Sequence, residues 1–174
     1  DKYIILNVRG REILGNLHPD YSPAPIDFLV KAVEASKREP IIMGQMGNDF
    51  YSDAIKENFP GCHVMEHRSI IEDFEILRHA QNVVLSVSTF SWVATWLSMV
   101  ARNIYMPIYG LYNPHQRPDI DLLPVSDKRY HFYELPITKW KATQEQIDMT
   151  INGKNLAKKC EIPSLIENYI SYKH

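Results

Sequence analysis

The sequence predicts an α/β fold, a doubly wound and mainly parallel sheet with helices on both faces. Three observations carry that expectation. Short apolar runs alternate with stretches of helical spacing along most of the chain, the connections between them are short, and runs such as 40–44 read as buried strands. The 174 residues suit one domain with a sizeable core.

Residues 3–8 form the first apolar run, ended by Arg9-Gly10, and 26–36 sets Phe28, Leu29, Ala32 and Val33 at helical spacing behind a proline-rich entry. A second strand follows at 40–44, then a helix over 50–59 stopped by Pro60-Gly61, then a short strand at 62–65. The next helix carries apolar groups at 70, 71, 74 and 77, with Ser69 as N-cap and Glu72 as its capping-box partner. Residues 82–87 are the strongest strand pattern. They run directly into a helix expected over 88–101, with Phe90, Val93, Ala94, Leu97, Val100 and Ala101 along one face and Trp92, Trp96 and Met99 on a second, for packing on a neighbour. A strand at 103–106 ends at Pro107. Beyond it come a long loop over 109–129, a strand-like run at 130–135, and two modest helices over 143–152 and 163–172.

Composition removes several function classes. With 45% hydrophobic and 23% charged residues the chain is neither disordered nor low in complexity, and a formal charge of −2 supplies no global basic field for sequence-independent nucleic-acid binding. No apolar run reaches the ~18 residues of a spanning helix. Cys62 and Cys160 are too few for a disulfide framework or a zinc site and read as free thiols. His63 and His67 straddle a strand end and make no metal pair. The glycine fingerprint of dinucleotide sites, the P-loop lysine and the hydrolase serine elbow are all absent, and no asparagine begins a glycosylation sequon. Gly44 and Gly47 mark a close backbone approach. The chain opens at Asp1 without a methionine and enters a strand pattern almost at once, which reads as one lobe of a larger protein.

In open α/β sheets, ligands bind at the carboxyl ends of the strands, where helix N-termini offer unpaired amides and positive dipole. The first strand brings Asn7, Arg9 and Arg11 to that edge, and the fourth brings Ser86, Ser88 and Thr89, the last two at the start of an apolar helix. Taken singly, Ser88 and Thr89 also fit simple N-capping, and Arg9 a surface ion pair. Together, an arginine fork facing hydroxyls and helix amides describes a phosphate or diphosphate site.

The stretch from Asp73 to Trp92 (Asp-Phe-Glu-Ile-Leu-Arg-His-Ala-Gln-Asn-Val-Val-Leu-Ser-Val-Ser-Thr-Phe-Ser-Trp) resembles the last motif of the GDP-fucose-dependent α-1,2/α-1,6 fucosyltransferase superfamily. The match includes the fifteen-residue spacing from Asp73 to Ser88. Asn7-Val8-Arg9-Gly10-Arg11-Glu12 resembles a degenerate form of that superfamily's H-x-R-R-G-D motif, with Asn7 where the family has histidine and Gly10 where it has the second arginine. The resemblance covers residues 3–112. It implies a GT-B fold of two facing Rossmann-like lobes, with this chain, 1–174, as the single nucleotide-sugar-binding lobe. It also implies roles. Arg9 would meet the β-phosphate and assist departure of the diphosphate, Ser88 and Thr89 would hydrogen-bond the diphosphate, and Asp73 would read the base. Asn7, Arg11 and His18 would complete the substrate site. His18-Pro19-Asp20-Tyr21 and residues 113–118 further resemble loops of sugar-transferase-like sequences.

The implied partners are a nucleotide sugar, GDP-linked, a glycan acceptor and the facing N-terminal lobe, with no nucleic acid, no transmembrane segment, no metal and no cofactor beyond the donor. The implied setting is cytoplasmic or peripheral to a membrane, or the Golgi lumen in a eukaryote. The leading expectation is therefore metal-independent transfer of a sugar, fucose, to a glycan hydroxyl. A non-catalytic nucleotide-sugar or glycan-binding module derived from such an enzyme is the alternative, and an unrelated phosphate-ligand protein of the same fold class is the third.

Overall fold

The computed structural model describes residues 2–66 and 68–162, so the helix expected over 163–172 and the ring of His67 lie outside the described residues. The elements in chain order are β1 (Tyr3–Val8), α1 (Ile26–Ser36), β2 (Glu39–Gly44), α2 (Phe50–Asn58), β3 (His63–Val64) and α3 (Ile70–His79). Then follow β4 (Asn82–Val84), α4 (Thr89–Trp96), β5 (Asn103–Ile108), β6 (Tyr130–Glu134), α5 (Gln144–Asn152) and β7 (Lys158–Lys159). The strands make one sheet in the order β3-β2-β1-β4-β5-β6-β7, parallel except for β7. This is a Rossmann-like, doubly wound α/β fold, flanked by helices: α1 packs with α2 and α5, and α3 with α4.

The central strands bury both faces. Ile4, Leu6, Val83, Val84, Ile104 and Met106 are fully enclosed, which is why these segments read as apolar runs without alternation. In α1 Phe28, Leu29 and Ala32 of the expected stripe are buried, joined by Ile26, while Val33 is only partly covered. The capping box on α3 forms as its sequence specifies: the Glu72 amide donates to Ser69 Oγ at 3.3 Å and the Ser69 amide donates to Glu72 Oε2 at 3.0 Å.

Several elements depart from expectation. α4 stops at Trp96, well short of 101, because Ser98 turns the chain: its hydroxyl accepts from the amides of Val100 and Ala101 at 3.3 and 2.9 Å, and its carbonyl accepts from Arg129 Nη1 at 2.6 Å. Of the second face expected on this helix, Trp92 packs, stacking on Trp96 and donating its indole N–H to Leu122 O at 2.8 Å, whereas Met99 lies past the helix end and is exposed.

β5 runs through Pro107 to Ile108. A proline inside a sheet normally leaves a ladder bond unmade. Here the Leu85 amide bonds Tyr105 O, so the odd-numbered residues of β5 face β4, and β4 has ended by the level of Pro107. The antiparallel β7 is two residues long and carries no apolar signal to announce it. Trp140, fully buried, ties the chain after β6 back to the loop after β1, through its backbone amide to Pro19 O at 2.9 Å and its indole N–H to Gly15 O at 3.1 Å. Among the described residues no helix is long and apolar enough to cross a membrane.

Candidate functional site

The strand order reverses between β1 and β4, the point at which the connections leave the sheet in opposite directions and a crevice opens at the carboxyl edge. A cleft of about 300 Å³ lies there, lined by Asn7, Arg9, Glu12, Asp73, Ser88 and Thr89 together with Gly44, Gln45, Ile70 and Phe90. The structure thus brings five of the seven residues singled out from the sequence, Asn7, Arg9, Asp73, Ser88 and Thr89, to one cleft.

Arg9 is the first residue past β1. Its Nη1 lies 3.5 Å from Ser88 Oγ, its Nη2 3.5 Å from Glu12 Oε1, and its guanidinium rests over the Tyr21 ring at 4.9 Å. Both polar contacts are at the long end of hydrogen-bond range, so the fork is oriented without being saturated. Beside it, Ser88 is the N-cap residue of α4, yet its side chain makes no cap hydrogen bond to that helix. The first-turn amides of α4 are therefore the unmet donors every helix start presents, carrying its positive dipole toward the cleft.

The loop before α4 is held from behind. The Ser88 amide donates to Tyr112 Oη at 3.0 Å, and the Tyr112 hydroxyl donates to Ser88 O at 2.6 Å. Burial pushes the Tyr112 phenol far up, so it stays protonated and remains a donor. Ser86 Oγ donates to Asn7 Oδ1 at 2.5 Å, so the Asn7 side chain joins β1 to the segment that follows β4 before it meets any ligand.

The β2 side of the cleft depends on glycine. Gly44 has φ of 127°, and a Cβ there would sit 2.1 Å from Val8 O. That is the close approach the glycine pair marks in the sequence. Gln45 next to it accepts from the Gly10 amide at 3.1 Å and donates to Glu12 Oε2 at 3.4 Å. On the other wall, Phe74 meets Phe90 edge-on at 5.5 Å, which fixes α3, and with it Asp73, against the start of α4.

Two expected site residues stand outside the cleft. Arg11 begins the 3-10 turn Arg11–Leu14 in left-handed backbone (φ 51°) and is exposed there, away from the lining. His18 accepts the Asp20 amide on Nδ1 at 3.2 Å and sets its ring edge-on to Tyr21 at 5.4 Å, so it backs the residue that backs Arg9. Sequence reasoning gave no role to Tyr21, which it named only as part of the 18–21 stretch, and missed Gln45 and Tyr112. Tyr112 ends the short 3-10 turn Gly110–Tyr112, with no spacing to mark it.

Among the described residues no three His, Cys, Asp or Glu side chains gather in a form that holds a metal ion. Asp49, an acid close to the β2 end, accepts the Ser52 amide at 2.7 Å as the N-cap of α2. Cys62 and Cys160 are free thiols whose pKa burial raises.

No protein-family model matches the chain, and no curated protein matches it. Among solved structures it is similar to Enterococcus italicus Csm6 bound to cyclic hexa-2'-fluoro-hexa-dAMP, at 11% identity and a TM-score of 0.35. The match covers 98% of this chain and 45% of that one, so the chain spans less than half of its length.

Proposed function

We propose that this chain is the donor-binding lobe of a glycosyltransferase, taking a sugar from a nucleotide diphosphate and passing it to a glycan hydroxyl, with GDP-fucose as the donor. One observation carries the reading: an unsaturated arginine and the uncapped first turn of α4 face each other across the cleft at the switch point of the sheet. In such a transfer the acceptor oxygen bonds to the anomeric carbon, the bond from that carbon to the β-phosphate oxygen breaks, and negative charge accumulates on the departing diphosphate. Arg9 and the α4 amides are placed to stabilise that charge. The rim carboxylates Glu12 and Asp73 suit hydroxyl and N–H donors of a sugar and a base better than a third phosphate, because like charge repels. In this reading the acceptor and the general base belong to the facing lobe.

A second reading, a non-catalytic nucleotide-sugar or glycan-binding module, is favoured by the commitment of Asn7 to Ser86 and by Gly10, whose place admits no larger residue: a Cβ there would lie 2.7 Å from Gln45 O. The cleft then has one arginine where the resembled family has two.

Thermal-shift and calorimetric titration with GDP-, UDP-, ADP- and CMP-sugars tests the shared part, and turnover of the bound donor separates the two readings. Binding led by a GDP-sugar with transfer to a glycan supports the first, and binding without transfer supports the second. No response to any of the four donors rejects both.

A further inference from the structure

We infer that Asp20, which does not line the cleft, is a positioning residue that sets Arg9 and Ser88 in register with each other; the inference rests on the diphosphate reading above. Asp20 is 93% buried, an expensive place for a carboxylate unless its oxygens are met. They are met from one direction of the chain. Oδ1 accepts Gln116 Nε2 at 2.8 Å and Oδ2 accepts Arg117 Nη1 at 3.2 Å, so this side chain, together with the Gln116 Nε2 bond to Pro19 O at 3.3 Å, joins the two loops that stood out in the sequence, 18–21 and 113–118. Its carbonyl also accepts the Leu111 amide at 2.9 Å. That bond needs the neighbouring Gly110, whose φ is 53° and where a Cβ would lie 2.4 Å from Asp20 O.

From this knot two arms reach the cleft. Tyr21, the next residue, lays its ring under the Arg9 guanidinium, with the His18 ring meeting it edge-on. Tyr112, one residue past Leu111, grips the amide and carbonyl of Ser88 through its hydroxyl. One arm aims the arginine and the other aims the serine and the α4 start. The β1–β4 pairing and the Asn7–Ser86 bond fix the spacing of the strands themselves. What Asp20 and its partners add is the aim of the Arg9 side chain and of the α4 start, which a diphosphate touching both must find in register. Arg117 takes no part in ligand binding, because Asp20 and Asp119 already engage its guanidinium.

A role acting through Arg9 predicts coupling, which a role in folding alone does not. The measurement is GDP affinity by calorimetry on the whole protein for wild type, Asp20→Asn, Arg9→Lys and the double variant. The asparagine substitution turns one acceptor into a donor facing Gln116 or Arg117. The lysine keeps the charge but loses the flat face that stacks on Tyr21. Asp20→Asn is expected to weaken GDP about tenfold beside Arg9 and less than about twofold beside Lys at position 9. Tyr21→Leu is expected to reproduce the tenfold loss at unchanged melting temperature, with Tyr21→Phe restoring affinity. Equal losses in both backgrounds, or full affinity in Tyr21→Leu, overturn the positioning role and leave the diphosphate reading standing. Failure of the wild type to bind GDP or any nucleotide diphosphate removes the diphosphate reading and this inference together.

Discussion

Arg9 and Arg129 each sit about one-quarter exposed, and they are built for opposite purposes. Arg129 closes on Asp127 through Nε at 2.9 and 3.0 Å and Nη2 at 2.6 Å, and its Nη1 donates to Ser98 O. The pairing raises the guanidinium pKa and holds the Asp127 carboxyl below the usual carboxylate range. Among the described residues Arg9 has two polar contacts, both at 3.5 Å, and an aromatic floor. An arginine with every direction filled is a fastener, whereas one aimed but underfilled has donors left for an incoming anion. The helix starts carry a similar contrast: Asp49 and Ser69 cap α2 and α3, α1 begins at Pro25 with no side-chain cap, and at α4 the cap residue is a serine whose hydroxyl accepts from Arg9 instead.

The largest expected effect breaks this contrast at its centre. Arg9→Ala should weaken nucleotide-diphosphate binding by about 2–4 kcal/mol, the cost of removing one partner of a desolvated charge contact, with the melting temperature almost unchanged. Arg129→Ala should do the reverse, lowering stability by about 1–3 kcal/mol while affinity stays within about twofold. Calorimetry and urea denaturation on both variants decide it, and equal behaviour of the two would erase the distinction. Next in size, Asp49→Ala should cost about 1 kcal/mol of stability through its lost cap. Ser88→Ala should cost only a few tenths of a kcal/mol and reveal itself in ligand titration instead.

The contrast extends to carboxylates. Burial pushes Asp27 up, but the Ala157 and Asn155 amides and Lys31 more than reverse this and leave its pKa below the ordinary value. A depressed folded-state pKa means that the stabilisation is complete above the unfolded value of about 3.9 and disappears as pH falls through the folded one. Urea midpoints taken from about pH 6 down to pH 2.5 should fall more steeply for wild type than for Asp27→Asn, and parallel curves would show the clamp to be idle. The smallest effect belongs to Asp73→Asn, expected to alter the ranking of GDP against ADP and UDP rather than overall affinity, since an amide replaces one of two acceptors. Competition titration reads it, and an unchanged ranking takes Asp73 out of base recognition.

What the sequence made legible follows from the range of each interaction. The Ser69–Glu72 box and the stripe of α1 are set within a few residues, and they appear where expected. The parallel, layered α/β class follows from alternation and short connections, whereas the strand order that sets β1 beside β4, and so Arg9 beside Ser88, 79 positions away, comes from the structure. The misses are tertiary. The end of α4 depends on Ser98 and on Arg129, 31 residues on. Pro107 fits its strand only because β4 is short, and Tyr112 acts through one hydroxyl on a backbone far upstream. Arg11, expected to complete the substrate site two positions after Arg9, is carried out of the cleft by the left-handed turn it begins.

The Trp140 strap adds a condition in time. The loop bearing Tyr21 is made early in synthesis, yet the anchors that pin it come from Gln116, 96 residues later, and from Trp140, 125 residues after Gly15. Spans of that length close late, since the entropy of bringing their ends together must be met before the contacts form. A nascent chain that has already assembled β1, β2 and β4 therefore has an arginine without its floor and a cleft without its register. The braces of the Arg9 side close only with the last third of the polypeptide, in step with burial of the Trp140 indole. In a Trp92→Phe, Trp96→Phe background the fluorescence of that one side chain marks the moment at which a folded sheet gains its completed cleft.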